Sequence, residues 1–143
     1  MSKTNRTNIK VWKEDLCNIS DKAAIGDGTI IHAGVHIHDE VVIGKNCKIE
    51  AMAFLPNGVT LEDDSFVGPM VCFTNDPKLN DGEFVAVPTL VKKRAKIGAN
   101  ATIRAGVTIG ENSIVGAGSV VLSDIPDNEI WVGNPAKFLK LNK

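Results

Sequence analysis

The chain is 143 residues long, 43% hydrophobic and 23% charged, with sixteen Lys and Arg against seventeen Asp and Glu. That length suits one domain, the composition excludes a disordered chain, and no apolar run approaches the ~20 residues of a membrane span. A net charge of −1 argues against a broad surface for nucleic acid or anionic membrane. Only 5% of the residues are aromatic, there is no Tyr, and glycine is plentiful at thirteen, so large rings do not organise this interior.

Taken from the N-terminus, Met1 to Lys10 is polar and lacks the apolar core of a secretory signal, which points to a cytoplasmic protein. Three cysteines, Cys17, Cys47 and Cys72, with no C-x-x-C spacing, argue against a disulfide framework or a structural zinc site. Residues 1–18 read as a lead-in or cap. From Ile19 a six-residue step governs the chain: Ile25, Ile31, Ile37, Ile43, Ile49, Leu55, Leu61, Val67 and Phe73 follow. After a gap the same phase resumes with Val91, Ile97, Ile103, Ile109, Val115 and Val121. Four residues beyond each of these lies a second column of mostly small or β-branched residues, from Ala23 and Thr29 to Ser119 and Ile125. Glycine often follows the large residue directly, as at Gly26, Gly44, Gly68, Gly98, Gly110 and Gly116.

Neither the helical period nor simple alternation produces this pattern. A short strand with one large and one small inward residue, then a tight turn, does. Three such units close a triangular coil. The expected fold is an all-β, left-handed parallel β-helix of about five coils over residues 19–126. Residues 75–90 interrupt the repeat and are rich in turn formers. They either replace a coil or loop out from a corner, and long loops in compact domains are usually functional. Residues 127–143 form a C-terminal cap and tail, with Trp12 and Trp131 expected to cover the two open ends.

The repeat converts sequence into contacts, because residues eighteen apart stack on successive coils, about 4.8 Å apart. Asp39, Asn57 and Asn75 form one column at a turn, with Asn75 opening the long loop. His32 stacks on Glu50, where a carboxylate beside an imidazole suits acid–base chemistry or simply makes a solvated pair. His36 stacks on Phe54 and then Cys72; His38 stacks on Pro56 and then Thr74. His36 and His38 share one side of a strand, but His32 lies elsewhere, which makes a metal site within one chain geometrically poor and points to none. The run Lys92, Lys93, Arg94 and Lys96 faces outward just after the loop. It is either a solvated face or a patch for a phosphate-bearing ligand, helped by turn amides around Gly116 and Gly118.

The hexapeptide register ending in Gly133-Asn-Pro-Ala-Lys137 resembles the hexapeptide-repeat acyltransferases. Gly58-Val-Thr-Leu-Glu-Asp-Asp64, Phe66-x-Gly-Pro69, Phe73-Thr-Asn75, Thr89-Leu-Val-Lys-Lys93 and Ile97-Gly-Ala-Asn-Ala-Thr-Ile103 are similar to the nucleotide-sugar N-acetyltransferases. Those enzymes acetylate 3-amino-3-deoxy sugars carried on UDP or dTDP for lipopolysaccharide and other surface sugars. The resemblance implies a homotrimer with active sites between subunits, acetyl-CoA as co-substrate and no metal. It implies that Asn75 bonds the sugar amine and that no strong general base is needed; His32 and Glu50 are further candidate catalytic residues on their stacking alone. Lys92, Lys93, Arg94, Arg104 and Lys137 would meet CoA phosphates, and Gly98, Gly116 and Gly118 would line the pantetheine. His36, Asn57, Asp76 and Lys78 fall to the acceptor side. The chain departs from that family at His32-Ala-Gly-Val-His36 and Glu50-Ala-Met52, and it lacks one coil before Glu50. Two other readings fit the same fold: a metal-dependent lyase of the γ-carbonic-anhydrase type, and a non-catalytic scaffold. No nucleophilic triad is visible.

Overall fold

The computed structural model describes residues 8–79 and 82–143; residues 1–7 of the expected lead-in and residues 80–81 of the loop lie outside the described residues. Short parallel strands stack into three faces. The first face is an eight-stranded sheet running through Lys10–Val11, Ile30–Ile31, Lys48–Ile49, Phe66–Val67, Lys96–Ile97, Ile114–Val115 and Glu129–Gly133, with Ala136–Leu141 added antiparallel at its end. The second face has six strands, from Asn18–Ile19 through His36–Ile37, Phe54–Leu55, Cys72–Phe73 and Thr102–Ile103 to Val120–Val121. The third has five, namely Ala24–Ile25, Val42–Ile43, Val59–Leu61, Thr89–Val91 and Thr108–Ile109. We call the corners that follow these faces the first, second and third edges.

The stacked aliphatic ladders form the core. Every large residue of the six-residue register is buried except Ile25, which is half-buried against the others. The small column lines the corners, where Thr29, Ser65, Ser113 and Ser119 are buried as well. Their hydroxyls are satisfied locally: Thr29 Oγ1 donates to the Gly44 carbonyl at 2.9 Å and Ser113 Oγ to the Gly110 carbonyl at 2.6 Å.

The turns use glycine in two ways. The left-handed backbone falls three residues after most of the large residues, at Gly28, Gly34, Gly58, Gly106 and Gly118, and also at Glu40, Asn46, Met52, Asp64, Met70, Arg94, Asn100 and Asn112. Glycines that directly follow the large residue serve close approach instead. A Cβ at Gly98 would lie 2.6 Å from the Ala117 nitrogen of the next coil.

The β-helix is longer than the expected five coils, with about seven turns along the first face. Two offsets hid its ends. Val11 pairs with Ile31, twenty residues on rather than eighteen, because the 3-10 turn Glu14–Leu16 adds two residues. Trp131 pairs with Val115 and Ile125 bridges Ile109, sixteen apart, because the corner between Val121 and Ile125 is two residues short. Ile125 therefore belongs to the large column, not the small one. The expected cap at Trp12 is also corrected: its indole lies outward on the flank, 47% exposed. Trp131 does pack against the end of the core.

Across the loop, Phe66 pairs with Lys96 and Cys72 with Thr102, thirty residues on. The twelve extra residues thus leave at the second edge without replacing a coil, and the phase survives because twelve is two repeat units. Among the described residues no helix is long and apolar enough to cross a membrane.

Candidate active site

The candidate residues fall on all three edges. The basic run lies on the third. There the column two residues beyond the third-face register reads Asp27, Lys45, Asp63, Lys93 and Glu111, so charge alternates coil by coil. Arg94 Nη2 donates to Glu111 Oε2 at 2.7 Å, the Lys93 amide to Glu62 Oε1 at 3.1 Å, and the Lys45 amide to Asp63 Oδ1 at 2.8 Å. Of the cations that stand out in sequence, Arg94 is answered by an acid on the next coil, while Glu62 holds the backbone amide of Lys93. Lys92, Lys93 and Arg94 are not beside Gly98, Gly116 and Gly118, which lie on the first edge; Lys96 alone of the run stands on the first face.

That first edge has two halves. Trp12, His32 and Glu50 follow one another on three coils, and Gly68, Gly98 and Gly116 continue the column with bare backbone. His32 Nε2 lies 3.2 Å from Glu50 Oε2, with both side chains about two-thirds buried. The eighteen-residue stack expected from sequence is therefore formed. Beyond Glu50 the corner residues are Ala51-Met52, Pro69-Met70, Ala99-Asn100 and Ala117-Gly118, a track without charge. It ends near the hairpin, where Lys137 pairs with Val132, a residue whose side chain packs over Gly116.

The second edge carries the loop and the amides. Asn75 Nδ2 donates to the Asn57 carbonyl at 3.2 Å, the Val87 amide to the Asn75 carbonyl at 3.0 Å, and the Thr89 amide to the Gly58 carbonyl at 3.0 Å. The column expected from sequence forms, but the ladder runs from amide to backbone rather than from amide to amide. It fixes the Asn75 carboxamide at the base of the loop through one of its two N–H donors. Thr74 Oγ1 accepts from the Ala105 amide at 3.1 Å, next to the exposed Arg104. Asp76 Oδ1 accepts from the amides of Lys78 and Leu79 at 3.1 and 3.2 Å, so that carboxylate shapes the loop. Asp76, Lys78, Glu83, Val85 and Val87 are among the residues around a hollow of about 340 Å³.

A second hollow, about 280 Å³, lies lower on the same edge among Asn18, Ser20, His36, His38, Asp39 and Asn57. It joins two of the predicted acceptor-side residues, His36 and Asn57, to Asn18, His38 and Asp39, which sequence reasoning did not assign to a site. An outward step of eighteen from Asn18 through His36 to Phe54 was the available signal. Asn18 Nδ2 lies 3.3 Å from His36 Nε2, and the His36 and His38 rings are 4.4 Å apart with Phe54 against both. Burial, and secondarily His38, holds the His36 imidazole below its ordinary range, which keeps it neutral. Burial pushes the Cys72 thiol up, away from thiolate reactivity. Among the described residues no group of three or more His, Cys, Asp or Glu could hold a metal ion. Within one chain, Asn75 and the His32–Glu50 pair stand on different edges.

The model of the bacterial transferase hexapeptide family (six repeats) matches residues 22–57 and 88–123. Over 50 residues, 35% of this chain and 26% of the relative, the sequence is 54% identical to the dTDP-3-amino-3,6-dideoxy-alpha-D-galactopyranose 3-N-acetyltransferase of Aneurinibacillus thermoaerophilus. It is 31% identical to gamma carbonic anhydrase 2 of Arabidopsis thaliana over 138 residues, 91% of this chain and 38% of that protein. The crystal structure of PerB from Caulobacter crescentus in complex with CoA and GDP-perosamine superposes with a TM-score of 0.77 at 29% identity, covering 92% of this chain and 58% of that one. The chain thus spans about a quarter to three-fifths of the length of these relatives.

Proposed function

The chain belongs to the bacterial transferase hexapeptide family, and we propose that it is an acetyl-CoA-dependent N-acyltransferase acting on an amino group of a nucleotide-linked sugar destined for surface polysaccharide. The observation that carries this reading is the first edge, a neutral backbone track running from Gly118 and Gly116 through Gly98 to the His32–Glu50 pair. A long, flexible thiol arm needs just such a surface, which it can approach closely without meeting competing charge; the amides of Gly98, Gly116 and Gly118 themselves donate to the Val115, Trp131 and Ala99 carbonyls. Lys137 at the hairpin end suits the phosphate end of that arm.

In this reading the acceptor lies against the second edge of a neighbouring chain. Asn75, held by one N–H on the Asn57 carbonyl, offers Oδ1 to the acceptor's amine, with Asn57, His36 and the loop residues around it. His32, oriented by Glu50, takes the amine's proton as the C–N bond forms and the C–S bond of the thioester breaks. The second and third faces support a homotrimer. Their outward residues, including Phe54, Cys72, Thr102 and Val120 on one and Val42, Thr60, Leu90 and Thr108 on the other, include no charged side chain, whereas the first face carries Lys10, Lys48 and Lys96. Phe66, Met52 and Met70 add outward apolar surface.

The test is thiol release from acetyl-CoA with a panel of nucleotide-linked amino sugars. No turnover across the panel, together with no CoA binding by calorimetry, rejects the reading. Mixing Asn75→Ala and His32→Ala chains tests its assembly. If each site draws on two chains, random assortment leaves about a quarter of sites intact in a closed ring and restores activity; no restoration places the two residues in separate functions.

A further inference from the structure

We propose that Trp12 is a positioning residue that holds the imidazole plane of His32. The inference rests on the acyltransferase reading through the role given there to His32. The indole and imidazole are stacked, with centroids 6.2 Å apart and planes 12° from parallel, inside the range in which aromatic pairs attract. The backbone sets this up. The Trp12 amide donates to the Ile31 carbonyl at 2.8 Å and the His32 amide to the Ile49 carbonyl at 2.9 Å, so Trp12, His32 and Glu50 stand one coil apart on one edge.

Each neighbour constrains a different freedom. The Glu50 carboxylate can only accept, so at 3.2 Å it draws the Nε2–H of a neutral His32 and leaves Nδ1 as the basic nitrogen. That single contact still lets the ring tilt and swing out of line, which would lose it. The indole opposes the tilt by stacking on the ring. Trp12 is itself held, because the Lys10 ammonium sits 4.1 Å from the centre of its ring. The indole is 47% exposed and outside the core, so burial does not explain its place. The two-residue offset before Asn18 conceals this neighbour in sequence: stepping back eighteen from His32 reaches Glu14.

The experiment compares wild type, Trp12→Ala and Trp12→Phe in the full chain, reading the ring nitrogens of His32 by 15N NMR beside steady-state kinetics. The expected result is that Trp12→Ala shifts the His32 nitrogens from the Nε2–H pattern toward an average of both tautomers. It lowers kcat by about tenfold and leaves the KM for acetyl-CoA within about twofold; Trp12→Phe restores both. Unchanged His32 nitrogens in Trp12→Ala overturn the proposal, as does a loss confined to KM or one that Phe does not rescue. Full turnover in His32→Ala would reject the role of His32 in catalysis instead, and the nitrogen signals would still decide whether Trp12 holds the ring.

Discussion

On the third edge, Lys45, Asp63, Lys93 and Glu111 stack as alternating charges; Asp63 also holds the Lys45 backbone amide, and Glu111 pairs with Arg94. On the second edge, Asp39, Asn57 and Asn75 stack with one Asn donor tied to a carbonyl, two imidazoles close by and a loop leaving the corner. The unit, turn and spacing are the same, yet one edge consumes its polar groups internally and the other leaves acceptors and imidazoles facing two hollows. A cluster of charge is thus poor guidance to a site in a stacked-coil protein, because the next coil answers it. Neutral polar groups left partly unspent are better guidance.

Breaking that comparison begins with Asn75→Ala, where kcat should fall about hundredfold while CoA affinity holds, since one oriented group at the reacting centre is worth about 3 kcal/mol. An unchanged kcat would remove the second edge from the site. Gly98→Ala tests the backbone track. The added Cβ meets the Ala117 backbone, so stability should drop by about 1–3 kcal/mol in a denaturant titration. Arg94→Ala on the third edge should cost no more than about 1 kcal/mol, because the pair with Glu111 is about half exposed, and should leave CoA affinity within about threefold. A tenfold loss of affinity would make the third edge part of the site.

The smallest effect concerns pH. His36 is held below the ordinary value of 6.5, so the folded chain takes up that proton less readily than the unfolded one. Its contribution to stability is intact above pH 6.5 and is lost as pH falls through 6.5 toward the folded value. The thermal midpoint should therefore fall on acidification, and His36→Gln should flatten that fall. Identical slopes would mean that the hollow does not burden this imidazole.

The legible parts of the sequence were those that obey the period. Large residues at every sixth position predicted the core, and the eighteen-residue step placed His32 on Glu50 and Asn57 on Asn75. What escaped was whatever broke the step or depended on answering charges. The two-residue offsets at Glu14–Leu16 and between Val121 and Ile125 concealed the first and last turns, and with them the neighbour that Trp12 makes of His32. Arg94 looked free because its partner, Glu111, lies on the next coil, seventeen residues on in sequence. The twelve-residue excursion could have been a coil or a loop, and pairing across it decided for a loop.

That excursion leaves the register untouched, so the body of the protein behaves as a ruler graduated in coils of about 4.8 Å. The loop leaves at one graduation and the Trp131–Lys137 hairpin closes the scale at another. Splicing one eighteen-residue unit between residues 104 and 121 would lengthen the reach between them by one graduation without altering the cross-section. A related chain could accommodate a longer or shorter ligand by counting coils rather than by redesigning a site.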